Sequence, residues 1–290
     1  MLKEKVKNNI FNLRPYSWVD LILLGYLAKF SITNSLTFSF SDFGFILGIL
    51  FLWCFFNSAL EAKHNYSYRG KTSLYLPTIF LILTIVISIT YNSLSLIPLA
   101  TSVVLIFVYL QKNKNKLLGI FSSTIRGLIE TSFFFFIITI LGSPITKLSL
   151  LIGFSLFLIY SSRALIGDIR DVKHNKEANK QTVPVVCGLS VSKFIIILTL
   201  TTTSLICFLY FNSFLIILPL ILFAITLIFF SNGYVLHQLM IFTTSFFHLN
   251  LIAFFTNQNL ILFNLIYFCI LLNCIFYPLL QRKSNPIFVD

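Results

Sequence analysis

Charge is what this 290-residue chain lacks: Asp, Glu, Lys and Arg make up 10% of it, against 57% hydrophobic residues. Soluble domains carry about 25% charged residues. A soluble fold of this size has too little interior to hide so much apolar surface, which excludes a secreted domain, a disordered tail and a soluble enzyme. Lipid is the solvent the composition requires. The sequence also lacks the polar–apolar alternation of an outer-membrane barrel strand; its apolar runs are long and continuous. Paired cysteines are missing too. Cys54, Cys187, Cys207, Cys269 and Cys274 form no CxxC, and all but Cys187 lie inside apolar runs, so they read as small hydrophobes rather than a disulfide framework or metal knuckle. The first apolar run is of spanning length and has no small-residue cleavage site, so no removable signal is expected. No internal repeat and no soluble insertion is visible, and a single helical domain over 1–290 is expected.

What is present is a series of ten apolar segments, near 17–39, 42–62, 74–92, 94–111, 117–142, 147–167, 192–211, 213–231, 235–256 and 258–281. Each is close to the roughly 20 residues a helix needs to cross a hydrocarbon core. The fold class expected is all-α, a polytopic membrane bundle of nine to ten transmembrane helices. Net charge is +12, but the basic residues sit in short connections, a topology signal and not a nucleic-acid stripe. Seventeen of the 21 Lys and Arg fall in the N-terminal segment, the second, fourth and sixth connections and the tail, whereas only Lys147 falls in a connection of the other set. The positive-inside rule puts both termini and these loops on the cytoplasmic side, or its organellar equivalent. No nucleic acid is expected as a partner; anionic headgroups and an anionic substrate are.

Asp20, Lys29, Arg126, Glu130 and Arg163 interrupt the apolar runs. Intramembrane charge is costly and faces a bundle interior or a wet cavity. Arg126 and Glu130, at i and i+4, can pair on one helical face. Lys29 and Asp20 are expected to reach water or a neighbouring helix. His237 and His248 are eleven residues apart and share a face, where polar packing between helices outweighs a cavity role. Two polar clusters then end apolar segments on the basic side. Asp168, Asp171 and Asn175 are spaced i, i+3, i+7, so one helix would show all three oxygen-bearing groups on one face. Asn57, Glu61 and Asn65, at i, i+4, i+8, do the same. Such oxygens suit Mg²⁺, which takes carboxylates together with substrate phosphates. A helix end dipping into water explains either cluster alone; two on one side, both followed by basic residues, weaken that explanation.

The run Arg163-x4-Asp168-Ile169-Arg170-Asp171-x3-Asn175-x6-Thr182-Val183-Pro184-Val185-x2-Gly188 resembles the second aspartate-rich motif and following loop of the UbiA-type intramembrane prenyltransferases. Leu13-Arg14-Pro15-Tyr16-Ser17-Trp18 resembles that family's first-helix start, and Arg126-Gly127-Leu128 also fits. The likeness covers roughly residues 13 to 190. The chain departs from the family pattern where Ser58, Glu61 and Asn65 stand for the three aspartates of the first motif, NDxxDxxxD, and where Asn175 stands for the last aspartate of the second. The resemblance implies Mg²⁺-dependent transfer of a prenyl chain from an isoprenyl diphosphate to a lipophilic acceptor, aromatic or lipid alcohol, within the membrane. It implies metal ligation at Glu61, Asn65, Asp168, Asp171 and Asn175, and catalytic roles for Asp168, Asp171 and Arg163. Substrate contacts would come from Asn57, Arg69, Lys112, Arg126 and Lys180. Two rivals stand beside this reading: a catalytically degenerate lipid-binding homologue, kept open by the lost carboxylates, and a multi-pass transporter. The transporter calls for inverted repeats or matching broken helices, and neither is found.

Overall fold

The computed structural model describes residues 13–14, 17–34, 37, 39, 42–64 and 75–257. Among them are helices and connections, with no strand. The helices are α1 (Trp18–Thr33), α2 (Asp42–His64), α3 (Tyr75–Tyr91), α4 (Leu96–Tyr109), α5 (Lys116–Ile120), α6 (Ser122–Ile140), α7 (Lys147–Arg170), α8 (Val172–Glu177), α9 (Val183–Val186), α10 (Leu189–Phe211), α11 (Phe214–Phe229) and α12 (Gly233–Thr256). The first nine expected segments each correspond to one long helix, with two adjustments. The segment 117–142 is broken at Phe121 into α5 and α6, and the 258–281 segment lies outside the described residues. α2, α6, α7, α10 and α12 are long and apolar enough to cross a membrane. This is an integral membrane protein.

Polar side chains set the helix ends. Thr146 and Ser149 form a reciprocal capping box that starts α7, and the Asn232 side chain accepts from the first backbone amides of α12. Asn34, Asn212 and Asn257 adopt the left-handed conformation that closes α1, α10 and α12.

α6 and α7 pack along one another. α6 also meets α1, α2 and α4, while α7 meets α10 and α12; α12 returns to α1 and closes the bundle. Phe133, Phe134, Phe136 and Ile137 of α6 are fully buried, whereas Phe194, Leu209, Leu215 and Phe229 of α10 and α11 point outward. Lipid gives apolar side chains no reason to turn inward, so close packing and interhelical hydrogen bonds hold such bundles together. Here the Ser102 and Ser132 hydroxyls, 2.6 Å apart, join α4 to α6, and those of Ser162 and Thr199, also 2.6 Å apart, join α7 to α10. Lys29 meets both carboxylate oxygens of Asp42 at 2.8 Å, tying α1 to α2 as the neighbouring-helix expectation had it.

The α6–α7 crossing depends on Gly127, because a Cβ there would lie 2.1 Å from Ser161 Oγ and 2.8 Å from the Phe157 carbonyl oxygen. The backbone cannot step aside without separating the helices. Gly127→Ala is therefore expected to destabilise the fold by about 1–3 kcal/mol, the usual cost of overpacking. Thermal unfolding in detergent checks this; an unchanged midpoint would show that the two helices can part freely.

Candidate active site

Helices running in alternating directions bring the end of α2, the α4–α5 connection, the α7–α9 region and the starts of α1 and α12 to one end of the bundle. This is the end that holds both polar clusters. On α2, Asn57, Ser58 and Glu61 are buried. Asn57 donates from Nδ2 to the Trp53 carbonyl at 2.9 Å, and its buried Oδ1 has no hydrogen-bond partner. A buried amide oxygen without a donor is costly, so this atom is set to accept from a ligand or to bind a cation. Ser58, standing where the family has aspartate, turns back to the Cys54 carbonyl at 2.6 Å and offers its proton to the backbone. Glu61 lies 3.9 Å from Arg14. Asn65 and Arg69 lie outside the described residues.

The second cluster does not sit on one continuous helix, as its spacing had suggested. α7 ends at Arg170, Asp171 leaves the helical region at φ −95° and ψ 14°, and α8 starts afresh at Val172. Asp168 is in the last turn of α7. Asn175 is buried on α8, and its carbonyl accepts from the Lys180 amide at 2.8 Å, which turns the chain back toward the site after Asn179 adopts φ 53°. Asp168 makes no hydrogen bond among the described residues, but it stands in the fields of Lys112, Asp171, Arg170 and Lys180. Asp171 is gripped by its neighbour Arg170 through two bonds of 2.7 Å. Burial works against the Asp171 charge, but the Arg170 guanidinium outweighs it and holds the carboxyl below its ordinary value.

Arg14 and Lys112 link the two clusters. Arg14 faces Glu61 and also acts on the Asp171 charge. Lys112 donates to Tyr109 Oη at 2.8 Å and lies 4.3 Å from that ring's centroid, and the ring meets Phe56, next to Asn57, edge-on. Lys180 joins from the α8–α9 turn, where burial and the nearby Lys112 push its ammonium down to about 8, against the pull of Asp171 and Asp168. The two lysines repel one another, an arrangement that a polyanion relieves. Arg14 was read from the sequence only as part of the first-helix start; nothing in its spacing signalled that it would bridge the clusters.

Arg126, an expected substrate contact, and Arg163, an expected catalytic residue, have partners of their own. Arg126 bonds Glu130 at 2.5 Å, the i, i+4 pair, and its guanidinium lies 4.2 Å from the Phe56 ring centroid and 4.9 Å from that of Trp53. It therefore backs the helix that carries Asn57. Arg163, five residues or about 7.5 Å along the helix from Asp168, bonds Asp20 of α1 at 2.5 Å, and Asp20 also accepts from Ser245 of α12. That joint fastens three helices. Deeper in, His248 Nε2 lies 3.1 Å from Tyr160 Oη, a packed polar pair between α7 and α12; His237 stands beside Arg170.

The donor set is all oxygen, as Mg²⁺ requires, and the orphaned Asn57 Oδ1 fits it. Among the described residues, however, no three His, Cys, Asp or Glu side chains converge on one point. The residues suit a cation carried in with an anionic ligand better than one held by the protein alone.

No protein-family model matches the sequence, and no curated protein matches it. Solved structures do. A digeranylgeranylglyceryl phosphate synthase is similar with a TM-score of 0.66 at 15% identity, over 88% of this chain and 100% of that one. A UbiA homologue from Archaeoglobus fulgidus, bound to GPP and Mg²⁺, is similar with a TM-score of 0.61 at 14% identity, over 89% of this chain and 99% of that one. The apo UbiA homologue from Aeropyrum pernix K1 has a TM-score of 0.62 at 10% identity, over 79% and 94%. The chain has the UbiA-type fold.

Proposed function

We propose that this chain is a UbiA-type intramembrane prenyltransferase, a single such domain, that moves a prenyl chain from an isoprenyl diphosphate to a lipophilic acceptor with Mg²⁺. The observation that carries the reading is the gathering of Asp168 with Lys112 and Lys180 at the end of a UbiA-type bundle where the α2 cluster leaves Asn57 Oδ1 buried and without a hydrogen-bond partner. The A. fulgidus homologue with this fold is bound to a prenyl diphosphate and Mg²⁺. The distribution of basic residues among the connections supports a cytoplasmic face for this end and for both termini.

In this reading Lys112, Lys180 and Arg14 bind diphosphate oxygens, while Asn57, Glu61, Asp168 and Asp171 supply oxygens toward Mg²⁺. Asn65 and Asn175 would add neutral donors, and Arg69 a further phosphate contact. Mg²⁺, when bound, neutralises charge on the diphosphate as a Lewis acid, an effect of several kcal/mol. The C1–O bond breaks with its electron pair leaving on diphosphate, and the allylic C1 takes the acceptor's nucleophile, whose proton passes to the released diphosphate or to water. Lys112 and Lys180 hold the leaving group while charge grows on it. Lys180→Met should raise the apparent KM for the diphosphate by about tenfold, the value of one charge-assisted contact, and should lower kcat as well, because the contact strengthens as charge grows on the leaving group.

Incubating the purified chain with radiolabelled geranylgeranyl diphosphate, Mg²⁺ and a panel of aromatic and lipid-alcohol acceptors tests the reading. Prenylated product supports it. Absence of product together with absence of diphosphate binding overturns it. A second reading, a homologue that binds prenyl diphosphate without turning it over, is favoured by the lack of a three-acid cluster among the described residues; binding without product would establish it.

A further inference from the structure

Trp53, Asn57 and Glu61 are spaced i, i+4, i+8 and share one face of α2. Along that face α2 is joined twice to the chain ahead of α1. The Trp53 indole N–H donates to the Leu13 carbonyl at 3.2 Å, 40 residues away in sequence, and further along the helix Glu61 lies 3.9 Å from Arg14. Trp53 is itself fixed. It is buried, its ring lies 4.9 Å from the Arg126 guanidinium and meets Phe56 edge-on at 6.0 Å, and Arg126 is held by Glu130. The N–H is the one polar group an indole has, so the bond to Leu13 is what tryptophan supplies here and phenylalanine would not. Arg14, next to that carbonyl, has φ 52°. A Cβ makes this left-handed region costly, and Pro15 favours extended backbone at the residue before it. Such a conformation persists only where its surroundings over-determine it. Here the Trp53 N–H holds one side, and the Ser17 amide, donating to the Arg14 carbonyl at 3.0 Å, holds the other. The Arg14 side chain stays 31% exposed, so its backbone is fixed while a ligand can still reach its charge.

Resting on the prenyl-diphosphate reading, we infer that Trp53 is a positioning residue for diphosphate binding: its indole N–H locks the Leu13–Arg14 backbone in the turn that carries the Arg14 charge to the junction of the two polar clusters. Arg14 is set there before the ligand arrives, so binding does not have to freeze the arm ahead of α1, and the entropy of ordering it is not subtracted from affinity. Trp53 itself touches no ligand and acts only through Arg14.

The test is a double-mutant cycle on the full chain in detergent with Mg²⁺, read by calorimetric titration of a non-reactive thiolo analogue of geranyl diphosphate. Trp53→Phe keeps a ring against Arg126 and Phe56 and removes the N–H; it should weaken analogue binding by about 3- to 10-fold, the value of one hydrogen bond. Arg14→Met should weaken it by about 10-fold. With Arg14→Met already in place, Trp53→Phe should change the affinity by less than about 2-fold, because the group it positions is gone. A residue that merely packs would lower affinity by the same factor in both backgrounds. That result overturns the inference, as does wild-type affinity in either single variant. Should Trp53→Phe fail to fold, benzothienylalanine at position 53 retains both rings and lacks only the N–H, and the same cycle with the same expected factors applies. A wild-type chain that does not bind the analogue with Mg²⁺ overturns the prenyl-diphosphate reading itself, whereas additive losses leave that reading standing.

Discussion

Asp168→Asn is expected to lower prenyl-transfer turnover by about 10²–10³-fold while leaving the bundle folded. The substitution keeps size and hydrogen-bonding shape but removes the one site carboxylate that has no ion pair with a guanidinium within 4 Å among the described residues. Loss of a metal ligand costs several kcal/mol of leaving-group stabilisation, and each 1.36 kcal/mol is about a factor of ten in rate. Asp171→Asn should cost less, because Arg170 already neutralises the wild-type carboxylate. Single-turnover rates with radiolabelled geranylgeranyl diphosphate would measure both. Equal losses at the two positions would mean that Asp171 ligates metal as directly as Asp168, and no loss at Asp168 would remove it from the site.

The second large effect is expected at Asp20, far from the site in sequence. Asp20→Ala takes from the buried Arg163 the carboxylate it bonds and also strips Ser245 of its acceptor. Breaking a buried ion pair from one side destabilises by about 3–5 kcal/mol, whereas replacing both members with apolar residues of similar volume is close to neutral. Asp20→Leu combined with Arg163→Met should therefore recover most of the stability that Asp20→Ala loses, a non-additive pattern typical of contacting residues. Unfolding in detergent distinguishes this from a phosphate-binding role for Arg163. In that alternative, Arg163→Ala would leave the unfolding midpoint unchanged and raise the KM for the diphosphate.

Hydropathy made the architecture legible because a membrane helix must satisfy its own backbone, so each apolar run announces one element. The nine described long helices follow the runs, and Arg126–Glu130 was readable because i, i+4 pairing is local. The break at Asp171 was not readable, since an i, i+3, i+7 spacing looks the same on one helix as on two that meet at a bend. Nor could local spacing show which residues meet across the bundle. Arg163 had a catalytic role from its place in the family motif, yet the residue it bonds, Asp20, lies on α1, and Arg14 stands by Glu61 on α2 and acts on Asp171 at the α7–α8 break.

The sequence by itself determined that this chain lives in lipid as a helical bundle, that its polar clusters stand beside basic connections, and which residue types stand there. Composition and period are properties of the chain, and a bilayer leaves little choice about how to satisfy them. Only the tertiary structure decided how those charges are shared out: Arg170 on Asp171, Arg163 on Asp20, Lys112 beside Asp168, and Asn57 Oδ1 left open. Pairing between charges depends on distances of a few ångströms across helices, and close contacts such as Gly127 against α7 set those distances.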